Sequence, residues 1–339
     1  MRCASGTAIG IDFGGTKIEV ALARADGTLL ERERLETRAE LGPRQALERT
    51  AAAVRRLEIR AREAHEASVT GYAAVAPGIV QSDRILLTPN LPGWENLALA
   101  TELQHLLGLE HAPAVGNDVR AGALAELRFG ALRGVDPGLY ISLGTGIAAA
   151  VTVGGRVLAG ANQAAGEIAY MDPGLAVPPH GPGIAPLEEF VGGKAIGERA
   201  SALLGENVTA AELFTRAASG NDEPARKIVH ETLDVLARSI TNIAALIDPQ
   251  LVVLGGGMMA SADAILPALR DRLATSVPFP PHVAPAHFTR DASLHGAVAL
   301  ALGHGLTADQ AAAAARPRPL DVVCISAEQS QLTTGGTIS

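Results

Sequence analysis

The sequence contains only two cysteines, Cys3 and Cys324, among 339 residues. So few cysteines exclude a disulfide framework and a zinc site built from cysteine alone, and they are typical of a reducing compartment. The N-terminal residues lack the apolar core of a signal peptide, and no apolar run approaches the roughly 18 residues of a membrane span. These absences predict a cytoplasmic protein that is neither exported nor inserted in a membrane.

Positive charge is also scarce. The chain has 28 Lys and Arg against 36 Asp and Glu, a formal net charge of −8, and no basic block. A surface that neutralises nucleic acid or an anionic membrane needs clustered basic residues. Neither is therefore an expected partner.

The length and the apolar content predict two lobes. Hydrophobic residues make up 47% of the chain, which is enough for a large core. A single core rarely organises more than about 250 to 300 residues. We therefore expect two lobes with a cleft between them.

A pattern of strands and helices occurs twice along the chain. Residues 7–36 predict three antiparallel strands, residues 44–67 an amphipathic helix and residues 68–80 a buried strand. Three strands followed by a further strand return in residues 138–160 and 249–257. Aligning "IDFGGT" with "ISLGTG" places Ser142 opposite Asp12 and Gly144 opposite Gly14. The repeat predicts a duplicated α/β fold whose lobes clasp a ligand from both sides.

The predicted domain division follows from this repeat. Residues 1–117 would form the N-terminal lobe and residues 118–300 the C-terminal lobe, with a helix near residues 293–304 packing back on the first. Residues 306–339 mix Ala, Pro, Thr and Gly without periodicity and predict a loosely ordered tail without function.

Glycine-rich turns follow three of the predicted strands. Glycine lets backbone N–H groups approach an anion closely. By itself the first turn is equally consistent with an ordinary hairpin, and the third is more typical of a helix start. The second copy of the first turn favours phosphate binding. The predicted nucleotide contacts are Gly14, Gly15, Thr16 and Lys17 in the first turn, Gly144, Thr145 and Gly146 in the second, and Gly255, Gly256 and Gly257 in the third.

Asp12 stands just before the first glycine turn, where its charge would repel a phosphate. Magnesium is usually held by one or two carboxylates, waters and substrate phosphates. Asp12 is therefore predicted to anchor magnesium through water; the alternative is a turn-capping residue. Its counterpart Ser142 needs no charge because one cation serves both lobes.

The pair Asn117-Asp118 sits where a predicted strand meets a helix. Asp and Asn are common helix caps, and position alone favours a cap for Asp118. Asp118 becomes a candidate general base once a hydroxyl substrate and a γ-phosphate are placed in the same cleft.

Taken in order, these stretches resemble the ROK family of bacterial sugar kinases and repressors. That family has the duplicated, ribonuclease H-like fold of actin, hexokinase and the 70-kDa heat-shock chaperone, an actin-like ATPase fold. The similarity runs from about residue 9 to residue 302. It is carried by "IGIDFGGTK", "APGIV", "PNLPGWENL", "GND", "LGTGI", "AGEIAY", "LEEFVGG", "DPQLVVLGGG" and "ASLHGAVALA".

The resemblance implies a kinase that uses ATP and magnesium to phosphorylate a primary hydroxyl of a hexose-like molecule. Asp118 matches the family's general base, and the glycine turns match two phosphate loops and the adenosine side. A homodimer is expected because the family often forms dimers. Two of the matched carboxylates also have a purely structural interpretation: Glu167 as a surface residue and Glu188 as a helix N-terminal residue. The matched sugar contacts are Asn90, Asn117, Glu167 and Glu188.

The chain departs from the family at its zinc site. Tyr170 replaces a histidine, and three cysteines of a short loop are replaced by Pro179, Gly181 and Pro186. Proline and glycine side chains offer no donor atom, so no zinc is expected. The prolines are expected to stiffen residues 172–186 instead, with His180 solvated.

Three further departures bear on the substrate and the site. The lost histidine lies near the sugar in the family, so Tyr170 predicts a modified substrate such as an amino sugar or a cyclitol. Ala148 stands in the second phosphate loop where glycine is common. Arg120 follows the base where a small or amide residue is common; contact with phosphate and simple exposure are both open.

Other functions are less well supported. A family repressor would carry a helix-turn-helix domain before the first phosphate loop, which here starts at residue 9. A non-catalytic sugar or nucleotide sensor would lack the base. A dinucleotide-dependent oxidoreductase would need a G-x-G-x-x-G motif after the first strand, and none is present.

Overall fold

The computed structural model describes residues 6–88, 90–174 and 184–305. The first part of the chain builds one mixed sheet with flanking helices. Its elements are β1 (Thr7–Phe13), β2 (Lys17–Arg24), β3 (Leu29–Glu36), α1 (Gly42–His65), β4 (Val69–Ala76), β5 (Ile79–Val80), β6 (Ile85–Leu86), α2 (Leu99–Leu107) and β7 (Ala114–Asn117).

The first sheet has the strand order β3-β2-β1-β4-β7. β1 and β2 are antiparallel, as are β2 and β3, whereas β4 and β7 run parallel to β1. β1 is buried along its whole length because both of its faces are covered. Its large residues Ile9, Ile11 and Phe13 alternate with small or polar ones. β3 contains a run of four charged residues at positions 31–34, has no buried residue and lies at the edge of the sheet. The three-stranded meander predicted for residues 7–36 is confirmed.

The second part of the chain begins with the helix that follows β7 directly. Its elements are α3 (Asp118–Phe129), β8 (Gly138–Leu143), β9 (Ile147–Val153), β10 (Arg156–Val157), α4 (Glu188–Val191), α5 (Gly193–Leu204), α6 (Ala210–Ala218), α7 (Glu223–Ile247), β11 (Leu251–Gly255), α8 (Ala262–Ser276), β12 (His282–Pro285) and α9 (Ala292–Ala301).

The second sheet repeats the design of the first. Its order is β10-β9-β8-β11-β12, with β8, β9 and β10 antiparallel in succession and β11 and β12 parallel to β8. Asp12 is the penultimate residue of β1, and Ser142 is the penultimate residue of β8. The structure therefore confirms the repeat and the duplicated α/β architecture predicted from the sequence.

Local sequence explains where the long helices start. α7 begins after Asp222, whose side chain accepts a hydrogen bond of 2.9 Å from the N–H of Ala225. Such caps satisfy backbone donors that have no partner inside the helix. α6 begins with a capping box in which Thr209 and Glu212 bond each other's backbone N–H groups. These helices cover the second sheet with their apolar faces.

Two helices join the sheets. α9 contacts β1, β2 and β4 of the first sheet, and α3 contacts β8 and β9 of the second. The two helices cross at Gly296, where an added Cβ would lie 1.9 Å from the carbonyl oxygen of Ala121. Only glycine permits this close approach, which fixes α3 and therefore the residues at its N-terminus.

The described residues belong to one compact unit. The division at residue 117 and the assignment of residues 118–300 to a second lobe stay predictions. The tail at residues 306–339 lies outside the described residues. Within the described ranges, no helix combines the length and the apolar composition that crossing a bilayer requires.

Candidate active site

Asp12 lies at the carboxyl end of β1 and is 8% exposed. The hydroxyl of Ser293 donates a hydrogen bond of 2.6 Å to its Oδ2 atom. Burial raises the pKa of Asp12 to about 7, opposed by the Ser293 hydrogen bond and reinforced by the negative charges of Asp118 and Glu19. Asp12 therefore belongs to a cluster of carboxylates and is not a solvated turn residue.

The first glycine turn connects β1 to β2. The N–H of Gly14 donates to the carbonyl of Lys17 at 2.9 Å, and the hydroxyl of Thr37 donates to the carbonyl of Gly14 at 2.5 Å. Gly15 is partly exposed and Thr16 is exposed. The Nζ atom of Lys17 pairs with Glu19 on β2. The turn is tightly closed and accessible from outside.

Asn90 lies beside this turn. Its carbonyl oxygen and its Cβ would lie 3.0 and 3.1 Å from a Cβ added at Gly15. The segment is held by Trp94, a fully buried residue whose ring centroid is 5.0 Å from that of Phe13 at the end of β1. The structure therefore brings Asn90 next to the first glycine turn, with its side chain exposed.

Asn117, and not Asp118, caps α3. The Oδ1 atom of Asn117 accepts a hydrogen bond of 2.9 Å from the N–H of Arg120, and its Nδ2 donates to the carbonyl of Gly78 at 2.9 Å. The expectation that Asp118 acts as the cap is wrong, because β7 extends through Asn117 and leaves Asp118 as the first helical residue.

One carboxylate oxygen of Asp118 therefore makes no hydrogen bond to the described residues. Its Oδ1 accepts a hydrogen bond of 2.8 Å from the N–H of Val119, while Oδ2 has no hydrogen-bond partner among the described residues. Asp118 is surrounded by protein but keeps partial exposure to solvent. Burial raises its pKa, opposed by the backbone N–H groups and by the charge of Arg120. A carboxylate of this kind can accept a proton from a bound hydroxyl near neutral pH.

Glu167 is the next carboxylate of the cluster. It precedes a short 3₁₀ turn, Ile168–Tyr170, and is half-buried. Burial raises its pKa; Arg120 opposes the rise, and the charges of Asp118 and Glu188 add to it. Glu167 is thus close enough to interact with both the helix N-terminus and Glu188.

Glu188, the first residue of α4, contacts the second glycine turn. Its Oε2 accepts a hydrogen bond of 3.0 Å from the N–H of Ile147. A Cβ added at Gly146 would lie 1.9 Å from the same oxygen, so any larger residue there would displace the Glu188 carboxylate. Glu188 does lie at a helix N-terminus, as the alternative interpretation expected. That interpretation did not include its contact with the glycine turn.

The second glycine turn is bonded to the start of α5 and lies close to the third glycine turn. The N–H of Gly193 donates to the carbonyl of Gly144 at 2.9 Å, and the N–H of Lys194 donates to that of Thr145 at 3.1 Å. A Cβ added at Gly144 would meet only the nitrogen of Gly257, 3.7 Å away, and one added at Gly257 would meet no atom within 4 Å. The space above these two glycines is open, as a phosphate cradle requires.

The carboxylates connect the two halves of the site. Asp12 beside the first turn interacts with Asp118, Asp118 interacts with Glu167, and Glu167 interacts with Glu188 beside the second turn. These four predicted carboxylates thus form a chain of electrostatic neighbours from the first glycine turn to the second.

Some residues of this region were not predicted. Ser293 on α9 and the Gly192-Gly193 pair at the start of α5 had no assigned role, although both lie in stretches that carry the family resemblance. Arg120 is only 3% exposed, so the expectation of simple exposure is wrong. Its Nη1 donates to the carbonyls of Ala159 and Gln163.

The region of the lost zinc site is only partly described. Tyr170 is 43% exposed, and the charges of Glu167 and Glu188 add to the burial that raises its pKa. Pro179, His180 and Gly181 lie outside the described residues, so the absence of zinc stays a prediction. Among the residues that are described, no group of three His, Cys, Asp or Glu side chains is arranged to hold a metal.

Comparison with known proteins gives one consistent result. A sequence model of the ROK family matches residues 8–304. The chain is 34% identical over 312 residues to the N-acetylmannosamine kinase of Shigella boydii, covering 88% of this chain and 100% of that protein.

Solved structures give the same fold. The ROK hexokinase of Thermus thermophilus matches with a TM-score of 0.74 and 29% identity, over 88% of this chain and 98% of the other. The ROK family glucokinase of Streptomyces griseus, solved with glucose and AMPPNP, matches with a TM-score of 0.69 and 26% identity, over 88% and 100%. The predicted actin-like ATPase fold is confirmed.

Proposed function

The chain belongs to the ROK family, and we propose that it is a kinase that transfers the γ-phosphoryl group of ATP to a hydroxyl of a sugar. The observation that carries this proposal is Asp118, a carboxylate whose Oδ1 is bonded to the N–H of Val119 and which interacts electrostatically with Asp12 and Glu167. Phosphoryl transfer depends on placement and charge stabilisation more than on covalent chemistry. One positioned base beside two phosphate-binding turns is therefore sufficient protein machinery.

Asp118 acts as the general base in this proposal. Its Oδ1 is fixed by the N–H of Val119, so Oδ2 is oriented to accept the proton of the acceptor hydroxyl. Burial raises its pKa, which makes the carboxylate a better base than a solvated aspartate. The proton passes to Oδ2 of Asp118 as the hydroxyl oxygen bonds to the γ-phosphorus, and the bond from that phosphorus to the bridging oxygen breaks and releases ADP.

The glycine turns suit the nucleotide. Backbone N–H groups of the turns after β1 and β8 are proposed to bind the phosphates, and the open space between Gly144 and Gly257 to admit them. The turn after β11, with Gly256 at φ 92°, is proposed to face the adenosine side.

The donor set around Asp12 suits magnesium. A carboxylate and a serine hydroxyl are hard oxygen ligands of the type that magnesium prefers. We propose that Asp12 anchors the ion, directly or through water, with Ser293 orienting the carboxylate. The ion, when bound, neutralises phosphate charge that would otherwise meet the carboxylates of the site.

An amino sugar is the proposed acceptor. Asn90, Asn117, Glu167 and Glu188 offer amide and carboxylate groups of the kind that bind sugar hydroxyls in fixed directions. Tyr170 replaces the family's histidine near the sugar, and relatives at 34% identity are N-acetylmannosamine kinases. Both observations favour a 2-amino or 2-acylamino hexose over plain glucose.

The setting of the enzyme follows from the proposal. Its use of ATP and its two cysteines favour the cytoplasm, and its charge of −8 argues against nucleic acid or anionic membranes as partners. A homodimer, expected from the family resemblance, is a prediction that size-exclusion chromatography with light scattering tests directly.

A coupled assay of ADP release tests the function. The panel contains N-acetylmannosamine, glucosamine, glucose and a cyclitol, each with MgATP. We expect an amino sugar to exceed glucose in kcat/KM by at least about tenfold. Equal or better turnover of glucose contradicts the acceptor proposal, and no ADP release with any compound contradicts the kinase proposal.

A further inference from the structure

Arg120 is a buried arginine in the first turn of α3, two residues after Asp118. It is 3% exposed, and burial lowers its pKa although arginine stays charged at neutral pH. In the described part of the chain it makes no ion pair, and its Nη2 has no hydrogen-bond partner. An unpaired buried guanidinium is costly. A residue kept at such a cost calls for a functional explanation.

The bonds that Arg120 does make go to a single loop. Its Nη1 donates to the carbonyl of Gln163 at 2.6 Å and to that of Ala159 at 3.2 Å. Both carbonyls belong to residues 159–167, which we call the acceptor loop because it ends at Glu167. Gln163 has φ 60°, a left-handed conformation that non-glycine residues rarely adopt. The bond from Arg120 falls on the strained residue itself.

Several backbone hydrogen bonds of the acceptor loop stay within the loop, among them the bond of 3.0 Å from the N–H of Ala165 to the carbonyl of Ala159. Such bonds shape the loop but do not attach it to the rest of the protein. Gly160, Ala161 and Asn162 are exposed, so burial does not fix them. The side chain of Gln81 donates to the carbonyl of Asn162 at 3.2 Å on the exposed side. At the far end, the carbonyl of Gly166 accepts a hydrogen bond of 2.8 Å from the N–H of Ala149 on β9. Arg120 is the charged, buried tether in the middle.

We propose that Arg120 is a positioning residue that holds the acceptor loop, and through it Glu167, against the N-terminus of α3. This inference rests on the proposed function, since its purpose is to bring the acceptor bound by Glu167 to Asp118. The guanidinium also interacts electrostatically with both of these carboxylates. One cation therefore connects the base with the residue proposed to bind the acceptor.

Three variants test the tether. Arg120→Met keeps the aliphatic stem and removes all donors. Arg120→Lys keeps the charge, but its compact ammonium lacks the rigid guanidinium that places Nη1 against both carbonyls. The matched control is Arg128→Met on the same helix. Arg128 donates to the carbonyl of Gly155 at 3.2 Å and has a buried Nε without a partner, but among the described residues it makes no hydrogen bond to the acceptor loop.

Hydrogen exchange of the unliganded proteins tests the positioning without any activity. We expect amides of residues 159–167 to exchange about 10- to 100-fold faster in Arg120→Met, less so in Arg120→Lys, and within about twofold of wild type in Arg128→Met. Unchanged exchange in Arg120→Met overturns the proposal, as does equal loosening in Arg128→Met.

Steady-state kinetics test the consequence. We expect Arg120→Met to raise the acceptor KM about 10- to 100-fold while the ATP KM stays within about threefold, with partial recovery in Arg120→Lys. An equal rise of both KM values overturns the role at the acceptor site. A wild-type chain that releases no ADP refutes the kinase proposal by itself, and the exchange comparison still decides whether Arg120 holds the loop.

Discussion

The hydroxyl of Ser293 donates a hydrogen bond of 2.6 Å to Oδ2 of Asp12, across 281 positions of sequence. The bond connects α9 with the end of β1. It favours the ionised form of a carboxylate whose pKa is raised by burial to about 7. The Ser293 hydrogen bond thus opposes the burial that favours the neutral form of Asp12, the proposed magnesium anchor.

Ser293→Ala removes this support. We expect the pKa of Asp12 to rise above about 7, and the apparent affinity for magnesium at pH 7 to fall about tenfold, the loss for one hydrogen bond to a charged group. The defect should shrink at pH 8.5, where Asp12 is ionised in any case. Magnesium titrations of activity at both pH values measure this. The control is Ser239→Ala, whose hydroxyl bonds the α7 backbone; a similar defect in the control contradicts the account.

Asp12→Asn should stabilise the unliganded protein at high pH. The pKa of Asp12 is about 7 in the folded protein against an ordinary 3.8, so the folded state binds the proton more tightly than the unfolded state. The free energy of unfolding therefore falls as pH rises from about 4 to about 7. Removing the charge should recover about 1 to 4 kcal/mol at pH 8 and almost nothing at pH 4.

Urea unfolding at pH 4 and pH 8 measures this effect. The opposite-sign control is Asp26→Asn, because hydrogen bonds from Thr28 lower the pKa of that exposed carboxylate. Its substitution should give no gain at pH 8. A less stable Asp12→Asn variant at pH 8 would show that the ionised Asp12 carboxylate does not destabilise the folded protein.

Glu188→Ala should weaken binding of both substrates. Glu188 accepts a hydrogen bond from Ile147 and lies against Gly146, so its loss frees the second phosphate turn as well as a proposed sugar ligand. We expect both the acceptor KM and the ATP KM to rise about tenfold. The matched control is Glu189→Ala, an exposed neighbour in the same helical turn, which should change neither. A rise confined to the acceptor KM means that the contact with the turn is unimportant.

Local pattern was sufficient to predict much of the fold. The strands alternate or are continuously apolar, and the carboxylates Asp12 and Asp118 lie next to a turn or a helix start, so their placement depends on few residues. The repeat of "IDFGGT" in "ISLGTG" carried the prediction of two equivalent sheets. Those parts of the prediction needed no long-range information.

The remaining features depend on contacts between distant segments. Neither the bond from Ser293 to Asp12 nor the bonds from Arg120 to Ala159 and Gln163 have any local signature. The choice of cap failed for a different reason. Asn117 and Asp118 are equally good caps, and the length of β7 decided between them.

The central claim is that Asp118 removes the proton of the acceptor hydroxyl. Asp118→Asn keeps the shape of the side chain and abolishes its basicity, whereas Asp222→Asn makes the same change at the cap of α7. In the coupled ADP assay we expect Asp118→Asn to lose about 10²- to 10⁴-fold in kcat, with ATP affinity by calorimetry within about threefold of wild type and full activity in the control. An Asp118→Asn variant that keeps wild-type turnover would contradict the account.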